Sequence, residues 1–124
     1  MNKKILDEHV LVLSYAYDVA LDDRCRHLFI KDFNLPKGYN FSKIPVLLEI
    51  PPDYPESPPG VGDSHVFVPR GLRYRGRKPK DYHDDVGPSK DWAWWCYEYI
   101  DWDPCRDNLI TFFELLRAHM TKPI

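Results

Sequence analysis

Pro51-Pro52-Asp53-Tyr54-Pro55-Glu56-Ser57-Pro58-Pro59 decides the reading of this chain. Each proline fixes φ and removes a backbone donor, so strand pairing must stop where the run begins. The residues before it, Ile44 to Ile50, close on Leu47-Leu48-Glu49-Ile50 and read as a buried strand. The run itself is expected as a stiff strap, extended or turning, across the surface. So much rigidity is unusual for an ordinary loop.

Upstream, His27 to Phe33 reads as a strand with Leu28 and Ile30 on one face and Phe29 and Lys31 on the other. Leu35-Pro36-Lys37-Gly38-Tyr39-Asn40 is a turn-forming loop, which makes an antiparallel pair of these two strands plausible. Pro45 points to an edge strand or to the strand's first residues. The apolar spacing of Ile5, Leu6, Val10 and Leu13 fits a short helix, while Val10 to Tyr17 fits a strand equally well.

Downstream of the strap, Val66-Phe67-Val68 is a short strand bounded by Pro69. Residues 70–91 are almost devoid of apolar side chains and read as a long surface loop, basic first and acidic second. The last helix is marked by Leu109, Phe112, Phe113, Leu116 and Met120, one stripe at helical spacing. Asp103, with Pro104 at the first helical position, is one candidate cap, and Asp107 is the other.

At 124 residues the chain is expected to be one domain. Its apolar content of 44% and aromatic content of 15% are those of a globular protein. A net charge of −2 gives no global reason for nucleic-acid or membrane binding. No apolar run approaches the roughly 18–20 residues of a span, and the N-terminus lacks a signal-peptide core, so a cytoplasmic location is expected. Three cysteines without a C-x-x-C pair, and five scattered histidines, point to neither a disulfide framework nor a metal site. No phosphate loop is present, and no cofactor is expected.

Cys96 is the sharpest chemical candidate, because a thiol is a strong nucleophile near neutral pH and its thioester stays reactive toward amines. The plain alternative is a small buried hydrophobe. Cys105 is a rival placed near a helix start, where a thiol is acidified. Cys25, between Arg24 and Arg26, reads as structural or surface. His83 is a candidate acid–base or oxyanion group, with His65 a second. Trp94, Trp95 and Tyr97 belong to an aromatic cluster that fits either a partner platform or a core. Arg73, Arg75 and Arg77 suit electrostatic guidance of a partner across a groove at Cys96. A nucleic-acid role for residues 70–80 is the weaker reading of these charges.

The order strap, cysteine, Trp102-x-Pro104, helix resembles the ubiquitin-conjugating superfamily, and more narrowly its bacterial branch from antiphage operons. The matching text is Leu35-Pro36-x-Gly38-Tyr39-Asn40 and Leu47-Leu48-x-Ile50-Pro51-Pro52-x-Tyr54-Pro55. Trp92, Trp95, Cys96, Trp102, Pro104, Asp107 and Leu109 follow. The resemblance implies an α+β fold: a four-stranded antiparallel meander flanked by helices, with a C-terminal amphipathic helix. It also implies a Cys96 thioester with a partner's C-terminal glycine. The partner is then a cGAS-like nucleotidyltransferase (CD-NTase) of a cyclic-oligonucleotide (CBASS) defence system, or a ubiquitin-like modifier, with a separate activating enzyme. A catalytically inactive binding module of the same fold is the alternative. Some members of the branch lack the cysteine, so its presence favours an active carrier. The His-Pro-Asn triplet of the eukaryotic enzymes is absent, and no asparagine lies between Asn40 and Cys96. The oxyanion group is therefore unassigned.

Overall fold

The computed structural model describes residues 2–97 and 99–124. Among the described residues, two helices and six strands follow one another as α1 (Lys3–Ser14), β1 (Val19–Leu21), β2 (His27–Asn34), β3 (Lys43–Glu49), β4 (Val66–Pro69), β5 (Tyr82–His83), β6 (Trp92–Trp95) and α2 (Leu109–His119). The strands form one antiparallel sheet in the order β1-β2-β3-β4-β6-β5. The α+β class is as expected, but the sheet has six strands among the described residues rather than the four of the expected meander. β6 pairs with β4, and β5 closes the edge beyond it. None of the described helices is long and apolar enough to cross a membrane.

The alternation of side chains in the strands decides which face is sealed. Leu28, Ile30, Ile44, Val46, Leu48, Val66, Val68, Ala93 and Trp95 point inward. They meet Leu6 and Leu13 of α1 and Leu109, Phe112, Phe113 and Leu116 of α2 in one cluster. The opposite face carries Phe29, Leu47, Phe67, Trp92 and Trp94, and both helices lie on the other side of the sheet. The first segment is a helix rather than a strand. Asn2 caps it by accepting from Ile5 N, and Leu6 and Leu13, seven residues apart, share its buried face.

Pro45 is neither at an edge nor in regular pairing. β3 is interior, and Pro45 sits where its register with β2 shifts between Ile30 and Phe33. Pairing with β4 begins only at Leu47, so no ladder bond is lost on that side.

The strap is less superficial than its composition implies. Pro51, Tyr54, Pro55, Pro59 and Gly60 are buried. The Tyr54 hydroxyl meets His9 Nδ1 of α1 at 2.6 Å, and Trp102 Nε1 donates to the Pro55 carbonyl at 2.7 Å. The strap therefore ties α1 to the chain that follows Cys96.

Residues 70–91 are likewise more than a loop. Leu72 is fully buried and Tyr82 nearly so, and Tyr82-His83 supplies the edge strand. Tyr74 to Arg77 is a tight reversal closed by Tyr74 N to Arg77 O at 2.8 Å, with positive φ at Arg75 and Gly76, the pattern of a type I′ turn. It docks on the Gly38-Tyr39-Asn40 motif: Arg75 N donates to Gly38 O, and Asn40 N to Arg73 O. Gly38 has φ +107°, and a Cβ there would run into the Tyr74 ring, which explains glycine at this position.

Neither aspartate caps α2. Asp103 and Asp107 close a separate turn, in which Asp107 Oδ2 accepts from Asp103 N and Asp103 Oδ1 from Cys105 N. Asn108 is the cap, in a reciprocal box with Thr111. Asn108→Ala is therefore expected to destabilise the fold by about 1 kcal/mol. Asp107→Ala is expected to leave α2 capped. Urea denaturation of the two variants separates these assignments.

Candidate active site

Cys96 directly follows β6 and is half-buried. Its amide donates to the Asp81 carbonyl at 2.8 Å, so pairing with the edge segment extends one residue past the strand. The neighbours fix its direction. Trp95 has no exposure and Tyr97 only 7%, and both pack against His119 of α2. Alternation then sends the Cys96 side chain to the face that the helices leave open.

Two of the three expected aromatic partner-binding positions are buried instead. Trp95 is sealed in the core and donates through Nε1 to His119 Nδ1 at 3.0 Å. Tyr97 is buried against His119 at 4.3 Å between ring centroids. Trp94 alone of the trio lies on the open face, half-buried, with its Nε1 unpaired among the described residues. It packs against His65 at 5.4 Å and His83 at 5.0 Å. His83 stands opposite Trp94 in the register, two rungs away from Cys96.

Arg73 is half-buried, with its guanidinium 5.2 Å from the Tyr82 ring, while Arg75 and Arg77 are exposed on the turn at Gly38 to Asn40. The part of that segment bonded to Cys96 is Asp81. Cys105 is exposed in the turn that precedes α2, four residues before Leu109. Cys25 is 8% exposed and belongs to the core.

The end of the sheet that holds Cys96 also holds residues that sequence spacing left unconnected. Val66 pairs with both Leu48 and Trp95, which aligns Glu49, His65 and Cys96 just beyond. On the same side, a cleft of about 870 Å³ opens between the β1–β2 turn and the strap. Arg24, Arg26, His27, Glu49, Pro52 and Ser64 are among its lining residues. His119 was missed altogether. Its Nδ1 accepts from Trp95, and its Nε2 lies 3.4 Å from Asp81 Oδ2. No local sequence pattern links positions 81, 95 and 119, because only packing of α2 on the sheet brings them together.

Residues 2–123 match the model of prokaryotic E2 family E. The chain belongs to that family. Neither a curated protein nor a solved structure matches it. Membership makes this a ubiquitin-conjugating-like carrier of the transferase class, and ubiquitin-like modifiers are the general partners of such proteins.

In this family member, burial pushes His119 below the ordinary histidine value. Lys80 acts in the same direction, and Asp81 opposes both. His9, half-buried against the strap, shifts the same way through its partial desolvation. Such a histidine binds its proton more readily in the unfolded chain. Stability is then fully present above the unfolded value of about 6.5 and falls as pH drops below it. The melting temperature is expected to fall between pH 7 and pH 5. In His119→Phe, which keeps a ring against Tyr97 but cannot titrate, the acid-side decline is expected to be shallower. Differential scanning calorimetry across that range checks both points.

Proposed function

We propose that the chain is a thioester carrier in which Cys96 takes the acyl group of a partner's C-terminal glycine and passes it to an amine. The supporting observation is the placement of Cys96: half-buried, outward-facing and amide-bonded to the edge segment, in a chain that matches a conjugating family over residues 2–123. A positioned thiol of this kind needs only an activated acyl donor and an incoming amine.

The partner is a cGAS-like nucleotidyltransferase of an antiviral CBASS system, whose C-terminal glycine is the acyl group carried. A ubiquitin-like modifier is the alternative cargo. A separate activating enzyme supplies either one in activated form. Trp94 is the aromatic contact on the open face. Arg73, Arg75 and Arg77 steer the partner by charge.

The chain is incubated with an activating enzyme, ATP and each partner, then run on non-reducing gels. A reductant-sensitive adduct is expected with wild type and none with Cys96→Ala, while Cys96→Ser accumulates a reductant-resistant ester. An adduct unchanged in Cys96→Ala sinks the carrier assignment. Loading by the modifier but not by the nucleotidyltransferase reassigns the cargo. Failure with both, alongside intact partner binding, indicates a binding module.

Reversing the two exposed arginines, Arg75→Glu with Arg77→Glu, is expected to slow adduct formation most at low salt, where screening is weakest. The melting temperature is expected to stay nearly constant, since exposed charges contribute little to stability. An adduct rate indifferent to this reversal at every salt concentration removes the steering role.

A further inference from the structure

One rung of polar groups crosses the open face of the sheet at its Cys96 end. His27 of β2 stands opposite Glu49 of β3. Glu49 N donates to His65 O at 2.9 Å, and His65 N donates to Glu49 Oε1 at 3.0 Å. Val66 of β4 stands opposite Trp95 of β6, so the next antiparallel step sets His65 opposite Cys96. Opposed residues share a face, with Cβ atoms about 4.5–5.5 Å apart in regular pairing. The rung therefore reads His27, Glu49, His65, Cys96 across four strands, and the Cys96 amide is bonded to the carbonyl of Asp81, whose side chain turns to His119.

The His65 ring is held on three sides. Its Nδ1 lies 2.5 Å from Glu49 Oε1 on the β3 side. Phe67 stacks on it at 5.5 Å, and Trp94 meets it edge-on at 5.4 Å. A carboxylate that accepts from Nδ1 fixes the tautomer and leaves Nε2 as the basic nitrogen. Nε2 is the nitrogen that Glu49 does not engage, and β6 lies across β4 from β3. The other ionisable groups around this ring are few. His27 Nε2 is 3.8 Å from Glu49 Oε2, and Asp22 Oδ2 is 3.3 Å from His27 Nδ1. His83 lies against Trp94, and the Asp81 carboxylate faces His119.

We propose that His65, oriented by Glu49, is the proton acceptor and donor for the Cys96 thiol, which makes His65 a catalytic residue and Glu49 its positioning residue. This rests on Cys96 being the carrier and supplies the acid–base partner that the missing His-Pro-Asn triplet leaves open. In loading, the donor is a C-terminal glycine held as a thioester on the activating enzyme. The Cys96 proton passes to His65 Nε2, Sγ attacks the carbonyl carbon, and a new C–S bond forms. The old C–S bond breaks, and the departing thiolate takes the proton back from the imidazolium. In transfer, the attacking amine gives its proton to the same nitrogen, which returns it to Sγ as the thioester breaks.

The test needs no partner protein. The full chain is labelled with iodoacetamide from pH 5 to pH 9, and alkylation at Cys96 is followed by peptide mass spectrometry, separately from Cys25 and Cys105. In wild type the rate is expected to persist to acid pH, as for a thiolate paired with an imidazolium. In His65→Gln the labelling midpoint is expected to move toward that of an ordinary thiol, about 8.5, with labelling at pH 6.5 falling on the order of tenfold or more. Glu49→Gln keeps the ring and is expected to give an intermediate profile. It also serves if His65→Gln proves poorly folded. Identical pH profiles in wild type, His65→Gln and Glu49→Gln overturn the proposal. That outcome leaves the gel assay for the Cys96 adduct untouched, so the two readings fail separately.

Discussion

The contact on which the site depends is Tyr54 in the core. Its ring is fully buried, its hydroxyl meets His9 of α1, and the next residue's carbonyl accepts from Trp102. Burial pushes the Tyr54 phenol well above its ordinary range, so the group stays a neutral hydrogen-bonding hydroxyl across the physiological range. A proline-rich segment cannot hold itself in place through a backbone ladder, because its prolines have no amide to donate. It needs side-chain anchors, and Tyr54 with Trp102 supplies them. The anchored strap sets where β3 ends and where β4 must begin. Ser64 completes the return, with its hydroxyl donating to the Glu49 carbonyl and accepting from Gly60 N. The relative heights of Glu49, His65 and Cys96 follow from that one turn.

The sheet then separates stability from chemistry by its two faces. Both helices cover the inward face, where large apolar side chains leave no room for solvent or substrate. The outward face keeps polar groups in register. A one-residue slip in β6 would put Cys96 in the core and Trp95 outside. Two features oppose such a slip: the full burial of Trp95 and its bond to His119. The packing of its neighbours thus sets which face of the sheet the sulfur takes.

Much of this was legible in the sequence. β3 and the α2 stripe obey clean periods of two and 3.6, β2 keeps its period as far as Ile30, and the proline run marks the end of β3 without ambiguity. What stayed hidden is non-local. β5 is two residues long, too short to show a period, and only its partner β6 makes it a strand. Asp103, Asp107 and Asn108 are all good capping residues, and the choice among them depends on which one meets the first turn of α2. The aromatic cluster fits either a platform or a core by composition, and the pleat divides it, with Trp92 and Trp94 outward and Trp95 and Tyr97 inward. His65 and His83 looked equivalent as isolated polar histidines. Only the register of β4 and β5 against β6 tells the rung of Cys96 from the rung of Trp94.

The additional chain between β4 and β6 gains a structural meaning from the same register. Without β5, β6 would be an edge strand, and the cysteine would hang from a frayed terminus with one side of its backbone unpaired. Residues 70–81 prevent this by folding back on Gly38 to Asn40 through the Tyr74 turn. They then return to the edge, where the Asp81 carbonyl takes the Cys96 amide. The return is secured from both directions. Tyr82 gives its hydroxyl to Gly71 N as acceptor, and Lys80 N donates to the Pro123 carbonyl beyond α2. A nucleophile must be held within fractions of an ångström to react efficiently, and a strand interior holds its backbone better than a loop does. The charged insertion therefore converts a strand end into a fixed platform for the thiol. Its lysines and arginines keep it hydrated while Leu72, Pro79 and Tyr82 bind it to the core.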